Sequence, residues 1–309
     1  MPLRPLVIAH RGASGYRPEH TLAAYELAIE MGADFIEPDL VITRDGVLIA
    51  RHENDISGTT DVIDGPKFRS RRRTKWIDGR EVTGWFTEDF TLAEIKPLRA
   101  RERLEFRDRR FNDMFEIPTF QEILDLARRR NVGVYPETKL PSYFRSIGLP
   151  LEEPMVEALH AAGFQGRDAA VFLQSFEADS LKLLKTMTDL RRIQLLDDHR
   201  TYHELATPEG LAEIAAYADG IGPNKRLIVP VGPDGRLLPP TSLVEDAHRA
   251  GLLVHPWTFR SDPVFLAPDY EGDAAREVEQ FLELGVDGLF SDFPDLARRE
   301  VSFETWRSS

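Results

Sequence analysis

Two carboxylates, Glu37 and Asp39, separated by a single proline, are the residues best suited to chemistry. Alternate residues of a strand point the same way, so both carboxylates lie on one face, about 7 Å apart. Two such charges repel unless a proton or a cation joins them, and Ca²⁺ and Mg²⁺ prefer oxygen ligands. A short apolar run ends upstream in His10 and Arg11, and an extended run leads downstream to His52. Two imidazoles and a guanidinium beside paired carboxylates indicate metal-assisted chemistry on a phosphate ester.

A third apolar run ends in another pair of charged residues, Glu137 and Lys139, which are also two positions apart. In a parallel barrel the active residues lie at the carboxyl ends of the strands. The ends of three separate strands therefore bring a third carboxylate and a second cation to the same site.

Short β-branched runs alternate with amphipathic helical patterns along most of the chain. The candidate strands are residues 6–10, 35–41, 133–139, 170–174, 192–196, 220–223, 252–258 and 288–291. Eight strand–helix repeats in a chain of this size predict a (β/α)8 TIM-type barrel. An open, doubly wound parallel sheet is the alternative.

One segment, residues 53–116, interrupts this alternation and is rich in charge, Gly and Trp. We expect it to form a small subdomain, inserted after the second strand–hairpin unit near the barrel mouth, within a single catalytic domain of residues 1–309. Its candidate core consists of four aromatic residues, Trp76, Trp85, Phe86 and Phe90. Residues 69–75 carry a basic run, which is either a solvated loop or a positive lip that attracts an anionic substrate or membrane surface.

The composition excludes several classes of protein. The 309 residues include 52 acidic residues against 39 Lys and Arg, a net charge of −13, which argues against a nucleic-acid partner. No apolar stretch reaches the roughly 18–20 residues that span a bilayer, and the absence of Cys excludes disulfides and thiolate metal sites. Nine residues before His10 are too few for a signal peptide, so we expect a cytoplasmic protein, or a periplasmic or secreted one whose leader was removed.

Several different short motifs are distributed along nearly the whole chain. They are His10-Arg11-Gly12, Pro18-Glu19-His20-Thr21, Glu37-Pro38-Asp39, Thr43-Arg44-Asp45-Gly46, His52, Tyr135-Pro136-Glu137-Thr138-Lys139, Leu173-Gln174-Ser175-Phe176, Val254-His255-Pro256-Trp257-Thr258 and Gly285-Val286-Asp287-Gly288-Leu289-Phe290-Ser291-Asp292. Their order and spacing resemble the glycerophosphodiester phosphodiesterase family, in particular its bacterial, periplasmic-type branch. That family fold is a (β/α)8 barrel with an insertion after the second strand–hairpin unit.

The resemblance implies a hydrolase of glycerophosphodiesters, such as glycerophosphocholine or glycerophosphoethanolamine, that releases glycerol 3-phosphate and an alcohol. By the same resemblance, one Ca²⁺ or Mg²⁺ is held by three carboxylates, those of Glu37, Asp39 and Glu137. The family chemistry also implies attack of the glycerol 2-hydroxyl on phosphorus, followed by hydrolysis of a cyclic phosphate.

The resemblance also implies roles for the remaining site residues, which we expect to surround the substrate. His10 and His52 supply the general acid and base, while Arg11 and Lys139 bind the phosphate. The expected pocket residues are Gln174, Phe176 and Trp257, and His255 is a further candidate for its wall. The expected partner is thus a small-molecule substrate, and the alcohol group, the ion, the division of roles between the histidines and the oligomeric state stay open.

Two positions depart from the family pattern. His20 stands where the family usually has Asn, and we expect it to support a ligand or to cap the following helix. Glu53 follows the second histidine where Asp is common, which predicts a local change in geometry. Two other functions stay open: a lysophospholipase D or sphingomyelinase D-like phosphodiesterase, and a non-catalytic barrel that binds phosphate ligands.

Overall fold

Apolar strands alternate with helices from one end of the chain to the other in the computed structural model, which describes residues 4–307 and the side chains of residues 4–303. The strands are β1 (Leu6–His10), β2 (Phe35–Glu37), β3 (Asp39–Ile42), β4 (Leu48–Ala50), β5 (Arg73–Ile77), β6 (Arg80–Gly84), β7 (Gly133–Val134), β8 (Glu137–Thr138), β9 (Phe172–Ser175), β10 (Arg191–Leu196), β11 (Gly220–Pro223), β12 (Leu253–Val254) and β13 (Gly288–Ser291). The ends of the expected 1–309 domain, residues 1–3 and 308–309, lie outside the described residues.

Most of the helices lie between these strands and pack against the outside of the sheet. The helices are α1 (Leu22–Glu30), α2 (Leu92–Ile95), α3 (Phe120–Arg130), α4 (Pro141–Ser146), α5 (Glu152–Ala161), α6 (Ala178–Met187), α7 (Pro208–Ala215), α8 (Lys225–Ile228), α9 (Leu243–Arg249), α10 (Ala274–Glu283) and α11 (Pro294–Arg307). Of these, α2 belongs to residues 53–116 and α11 follows the last strand. Among residues 4–307, no helix has both the length and the apolar character needed to cross a membrane.

The parallel strands close into a barrel, which confirms the predicted fold class. β1 pairs with β13 on one side and with β2 on the other, and parallel pairing continues from β8 through β9, β10 and β11 to β12. The last gap is bridged after β12, where the Phe290 N–H donates to Pro256 O at 3.0 Å and the Phe259 N–H to Phe290 O at 2.8 Å. A closed ring has no free edges, so the open doubly wound sheet is wrong for this chain.

Prolines interrupt three of the predicted strands, because proline has no N–H to donate to the ladder. Pro38 separates β2 from β3, and Pro136 separates β7 from β8. Near Pro256 the assigned strand is short, Leu253–Val254, although the ladder continues as the N–H groups of His255 and Trp257 donate to Ile221 and Pro223. Each break lies where a candidate site residue emerges.

Residues 53–116 form a folded unit rather than an extended loop. They contain the antiparallel hairpin of β5 and β6, the short helix α2 and several 3-10 turns. Trp85, Phe86 and Phe90 are buried as predicted, and the Trp85 indole N–H donates to Phe68 O at 2.7 Å. The prediction for Trp76 is wrong: on the two-stranded hairpin its side chain faces solvent and is 70 % exposed.

Candidate active site

A tight turn after β1 sets the first half of the site. Arg11 has φ 59° and Gly12 has φ 87°, so the chain reverses immediately after His10. A Cβ on Gly12 would lie 2.7 Å from atoms of Ala24 in helix α1, so both the left-handed backbone and this close approach require glycine there. Thr21 caps α1 by accepting from the Ala24 N–H at 3.1 Å, which fixes the helix behind the turn.

Three buried carboxylates from two neighbouring strand units converge at the barrel mouth. Asp39 at the start of β3 pairs in register with Glu137 at the start of β8, and Glu37 ends β2. One oxygen from each of Glu37, Asp39 and Glu137 lies within 4.8 Å of the others. The spacing of the carboxylates and their burial suit a single divalent cation.

Glu37 is fixed by two donors. Its Oε2 accepts from the Arg11 backbone N–H at 2.9 Å, and its Oε1 accepts from the Gln174 amide at 2.9 Å. Burial, together with repulsion from the other two carboxylates, raises the pKa of Glu37 well above its ordinary value. The protein therefore holds a carboxyl group in a place where its charge is unfavourable unless a cation is bound.

Asp39 stays ionised because cations surround it. Its Oδ2 lies 2.9 Å from His20 Nε2 and 3.1 Å from Arg11 Nε. Burial alone would raise the pKa of Asp39, but the charges of Lys139 and Arg11 and the bond from His20 bring it well below the usual range. His20 therefore supports a carboxylate, which is one of the two roles expected for it. The residue that caps α1 is its neighbour Thr21.

Glu137 and Lys139 form an ion pair, with Lys139 Nζ 2.8 Å from Glu137 Oε1. Burial raises the pKa of Glu137, and repulsion from Asp39 raises it further, to about 8, although the ammonium of Lys139 acts in the opposite direction. The three carboxylates of Glu37, Asp39 and Glu137 thus lie beside only two cations, Arg11 and Lys139. Because burial and mutual repulsion raise the pKa values of Glu37 and Glu137, ionisation of all three carboxylates leaves an excess negative charge that a divalent cation would neutralise.

His10 is oriented by a carboxylate at the end of the last barrel strand. Its Nδ1 lies 2.6 Å from Asp292 Oδ1, and Arg107 and Arg260 both bond the other oxygen of Asp292. Those cations outweigh burial and keep the pKa of Asp292 well below its usual value. Burial and the charge of Arg11 lower the pKa of His10 to about 3, against the opposing effect of Asp292.

His52 is delivered to the same mouth by the antiparallel hairpin of β3 and β4. The Arg51 N–H donates to Asp39 O at 3.0 Å, so the residue after it lies beside the carboxylate cluster. Burial and the charges of Arg11 and Lys139 lower the pKa of His52 to about 4. Its Nδ1 lies 2.6 Å from Glu53 Oε1, so the unusual glutamate contacts the histidine rather than the triad.

The expected pocket residues divide into two groups. Phe176 and Trp257 lie edge to face with ring centroids 5.8 Å apart, and Lys139 Nζ is 5.6 Å from the Phe176 ring. The Gln174 amide instead donates to Glu37, so this side chain supports a carboxylate rather than a pocket wall. His255 is fully buried against Tyr135 and Phe172, with its Nδ1 2.9 Å from the Tyr135 hydroxyl, so it belongs to the barrel interior.

The family is identified by a match that extends over nearly the whole chain. Residues 10–296 match the model of the glycerophosphoryl diester phosphodiesterase family. The chain belongs to this family. A glycerophosphodiester phosphodiesterase of Arabidopsis thaliana is 42 % identical over 313 residues, covering 94 % of this chain and 84 % of that protein. A glycerophosphodiester phosphodiesterase of Haemophilus influenzae is 31 % identical, covering 94 % of this chain and 88 % of that protein.

Solved structures of the family share the fold. A glycerophosphoryl diester phosphodiesterase from Silicibacter pomeroyi superposes with a TM-score of 0.74 at 22 % identity, covering 98 % of this chain and 95 % of that chain. A phosphodiesterase from Oleispira antarctica, solved in complex with the product sn-glycerol-3-phosphate, gives a TM-score of 0.64 at 21 % identity and covers 97 % of each chain. The predicted family, enzyme class and barrel are thereby confirmed.

Several residues around the family motifs were not predicted as part of the site. Asp292 follows β13, so the strand-end rule that selected Glu137 also applies to it, and Glu19 lies inside a motif beside Arg11. Arg107 gives no such signal, because it belongs to the irregular part of residues 53–116 and reaches the barrel only in the folded chain.

Proposed function

We propose that this protein hydrolyses glycerophosphodiesters to glycerol 3-phosphate and an alcohol, with Ca²⁺ or Mg²⁺ held by Glu37, Asp39 and Glu137. The observation that carries the proposal is the buried carboxylate triad, with one oxygen of each residue within 4.8 Å of the others and with Arg11 and Lys139 ion-paired to it. The names of the relatives that share 42 % and 31 % of their aligned residues with this chain support the substrate class.

The donor set fits a hard divalent cation, because it consists of carboxylate oxygens and the raised pKa values of Glu37 and Glu137 express their mutual repulsion. Such an ion, when bound, supplies Lewis-acid stabilisation of charge on the phosphoryl oxygens. Arg11 and Lys139 bind the phosphodiester anion in this proposal. Attraction from Glu19 and Asp39 outweighs burial and raises the pKa of Arg11, so its charge is permanent.

His10 and His52 exchange protons with the substrate in this proposal. Each ring is bonded through Nδ1 to a carboxylate, Asp292 for one and Glu53 for the other. A carboxylate partner fixes the hydrogen on Nδ1, and Nε2 is then the atom for proton transfer. The lowered pKa values keep both rings neutral in the free protein, and the approach of an anionic substrate favours protonation of one of them.

The test is release of glycerol 3-phosphate from glycerophosphocholine by the purified protein, first with EDTA and then with Ca²⁺ or Mg²⁺ restored. Metal-dependent release supports the proposal, and the more effective ion identifies the cofactor. Absence of release with either ion, from a folded protein, would contradict it.

Lysophosphatidylcholine and sphingomyelin in micelles belong in the same assay, because a lipid head-group phosphodiesterase remains the competing function. Trp85, Phe86 and Phe90, which could have formed an apolar mouth, lie in the core of residues 53–116. Trp76 and Phe106 of the same insertion are exposed, so the assay itself must separate soluble from micellar substrates. A protein that binds glycerol 3-phosphate but hydrolyses none of these substrates would be the non-catalytic barrel.

A further inference from the structure

Two arginines cross from the irregular part of residues 53–116 to the barrel mouth. Arg103 Nε donates to Glu19 Oε2 at 2.8 Å, and Arg107 Nη2 donates to Asp292 Oδ2 at 2.6 Å. The two carboxylates that they reach come from different parts of the barrel, one from the loop after β1 and one from the end of β13. The inserted segment therefore contacts the barrel through charged groups at defined positions.

Both carboxylates have the same arrangement. Glu19 accepts from Arg11 Nη1 at 3.1 and 3.2 Å, and Asp292 Oδ1 lies 2.6 Å from His10 Nδ1. Each carboxylate thus bonds a proposed active-site residue as well as an arginine of the insertion. The insertion is therefore connected, through one carboxylate in each case, to Arg11 and to His10.

Of the two arginines, Arg107 makes more hydrogen bonds to the barrel. Its side chain is 6 % exposed, and its guanidinium bonds Asp292 and Asp262 together. Its Nη1 also donates to Ser14 O at 3.0 Å, on the turn that follows His10. A planar guanidinium spans two carboxylates in a fixed geometry, which a single ammonium group cannot reproduce.

We propose that Arg107 is a positioning residue, which holds Asp292 in place so that Asp292 aligns the ring of His10. The inference rests on the proposed function, because it assigns His10 to the reaction. A histidine that transfers a proton must keep both its ring orientation and its tautomer, and the carboxylate on Nδ1 controls both. Arg260 also bonds Asp292, at 2.9 Å, so loss of Arg107 loosens this control without removing it.

The experiment compares Arg107→Ala and Arg107→Lys with Arg110→Ala, all assayed on glycerophosphocholine at a saturating concentration of Ca²⁺ or Mg²⁺. Arg110 is a matched control: it lies three residues away, its side chain is 72 % exposed, and its ion pair is with the nearby Asp108. We expect Arg107→Ala to lower kcat about tenfold or more with KM changed less than about threefold, by analogy with the outer partners of metal-bound histidines, whose loss typically costs 10–100-fold. Arg107→Lys should recover part of kcat, and Arg110→Ala should match the wild type.

A double-mutant cycle tests whether Arg107 acts through Asp292. In an Asp292→Asn background, Arg107→Ala should lower kcat much less than it does in the wild type, because the two residues belong to one chain of contacts. An equal loss in both backgrounds would overturn the inference, as would an unchanged kcat in Arg107→Ala. If Arg107→Ala does not fold, Arg107→Lys serves in the same cycle, with an expected loss of roughly threefold to tenfold.

Thermal unfolding of each variant separates a catalytic effect from a general loss of structure. The wild type in the same assay separates the two proposals. A wild type that releases no glycerol 3-phosphate contradicts the proposed function itself. If the wild type is active and Arg107→Ala leaves kcat unchanged, only the positioning role is contradicted.

Discussion

Glu137 illustrates how a single residue opposes stability and supports binding. Its carboxyl group is buried beside Asp39, and its pKa of about 8 lies above the ordinary 4.5. Between those two values the folded protein binds more protons than the unfolded chain, so stability falls as the pH rises through this window. The cost is fully present above pH 8 and nearly absent at pH 5.

Glu137→Gln should therefore stabilise the metal-free protein at pH 9 and change it little at pH 5. The gain should be on the order of a few kcal/mol, and roughly 2–4 °C of Tm accompanies each kcal/mol in chains of somewhat smaller size. Thermal unfolding in EDTA at both pH values measures it. Equal shifts at the two pH values would show that the carboxyl group carries no such charge repulsion.

The two proposed proton-transfer residues can be distinguished from structural histidines. His10→Ala and His52→Ala should each lower kcat by about 10²-fold or more, because acid–base help is typically worth 10²–10⁴-fold. His160→Ala is the control: its Nε2 lies 3.0 Å from Thr188 Oγ1, and neither residue belongs to the carboxylate cluster. Steady-state rates on glycerophosphocholine decide the matter, and a near-wild-type rate in either variant would remove that histidine from the proposal.

At the scale of elements, the basic run of residues 69–75 divides: Arg69, Arg72 and Arg73 are exposed, as a solvated loop would have them, whereas Arg71 and Lys75 pair within the insertion. Arg71 donates to Glu94 and lies 4.3 Å from the Phe90 ring, while Lys75 bonds Glu88 and Asp89. These cations hold the β5–β6 hairpin and the 3-10 turn before it onto the rest of the insertion. Only this part of the run is internal to the folded segment, and it depends on acidic partners some 13–23 positions away.

The core of the insertion should depend on Trp85 and not on Trp76. Trp85→Ala should cost about 3–5 kcal/mol, since it removes a buried indole. The effect should appear as protease cleavage within residues 53–116 and, through Arg107, as a lower kcat. Trp76→Ala changes the same residue type on the exposed hairpin and should stay within about 0.5 kcal/mol of the wild type. Equal resistance of the two variants to protease would contradict this division.

At the scale of the whole molecule, ligands should stabilise the fold through the mouth of the barrel. A saturating divalent cation removes the repulsion within the triad, and glycerol 3-phosphate then adds an anion next to Arg11 and Lys139. At a concentration 100 times its Kd, either ligand contributes about 2.7 kcal/mol. Tm should therefore rise with Ca²⁺ or Mg²⁺, and rise again with glycerol 3-phosphate only when the metal is present. An equal response to glycerol 3-phosphate in EDTA would contradict the shared site.

The barrel and the central charges could be predicted from the sequence because their signals are local. Each apolar run marks a strand, and a charged residue after the run marks the mouth. Side-chain partners such as Gln174 on Glu37 or Arg107 on Asp292 could not, because they depend on which strands and loops meet across the fold. The prediction that Trp76 is buried was wrong for a related reason: a two-stranded hairpin buries only one face.

The bond between His10 and Asp292 joins residues 282 positions apart, at the ends of the first and last strands, which pair with each other to close the barrel. Protein synthesis adds about 5–20 residues per second, so Asp292 is made roughly 14–56 s after His10. Once Glu137 has been made, the nascent chain contains the carboxylate triad, His52 and the insertion, but until Asp292 follows, the ring of His10 has no carboxylate to align it. The growing chain therefore acquires its ligands early and its complete proton-transfer pair only when translation reaches the last strand.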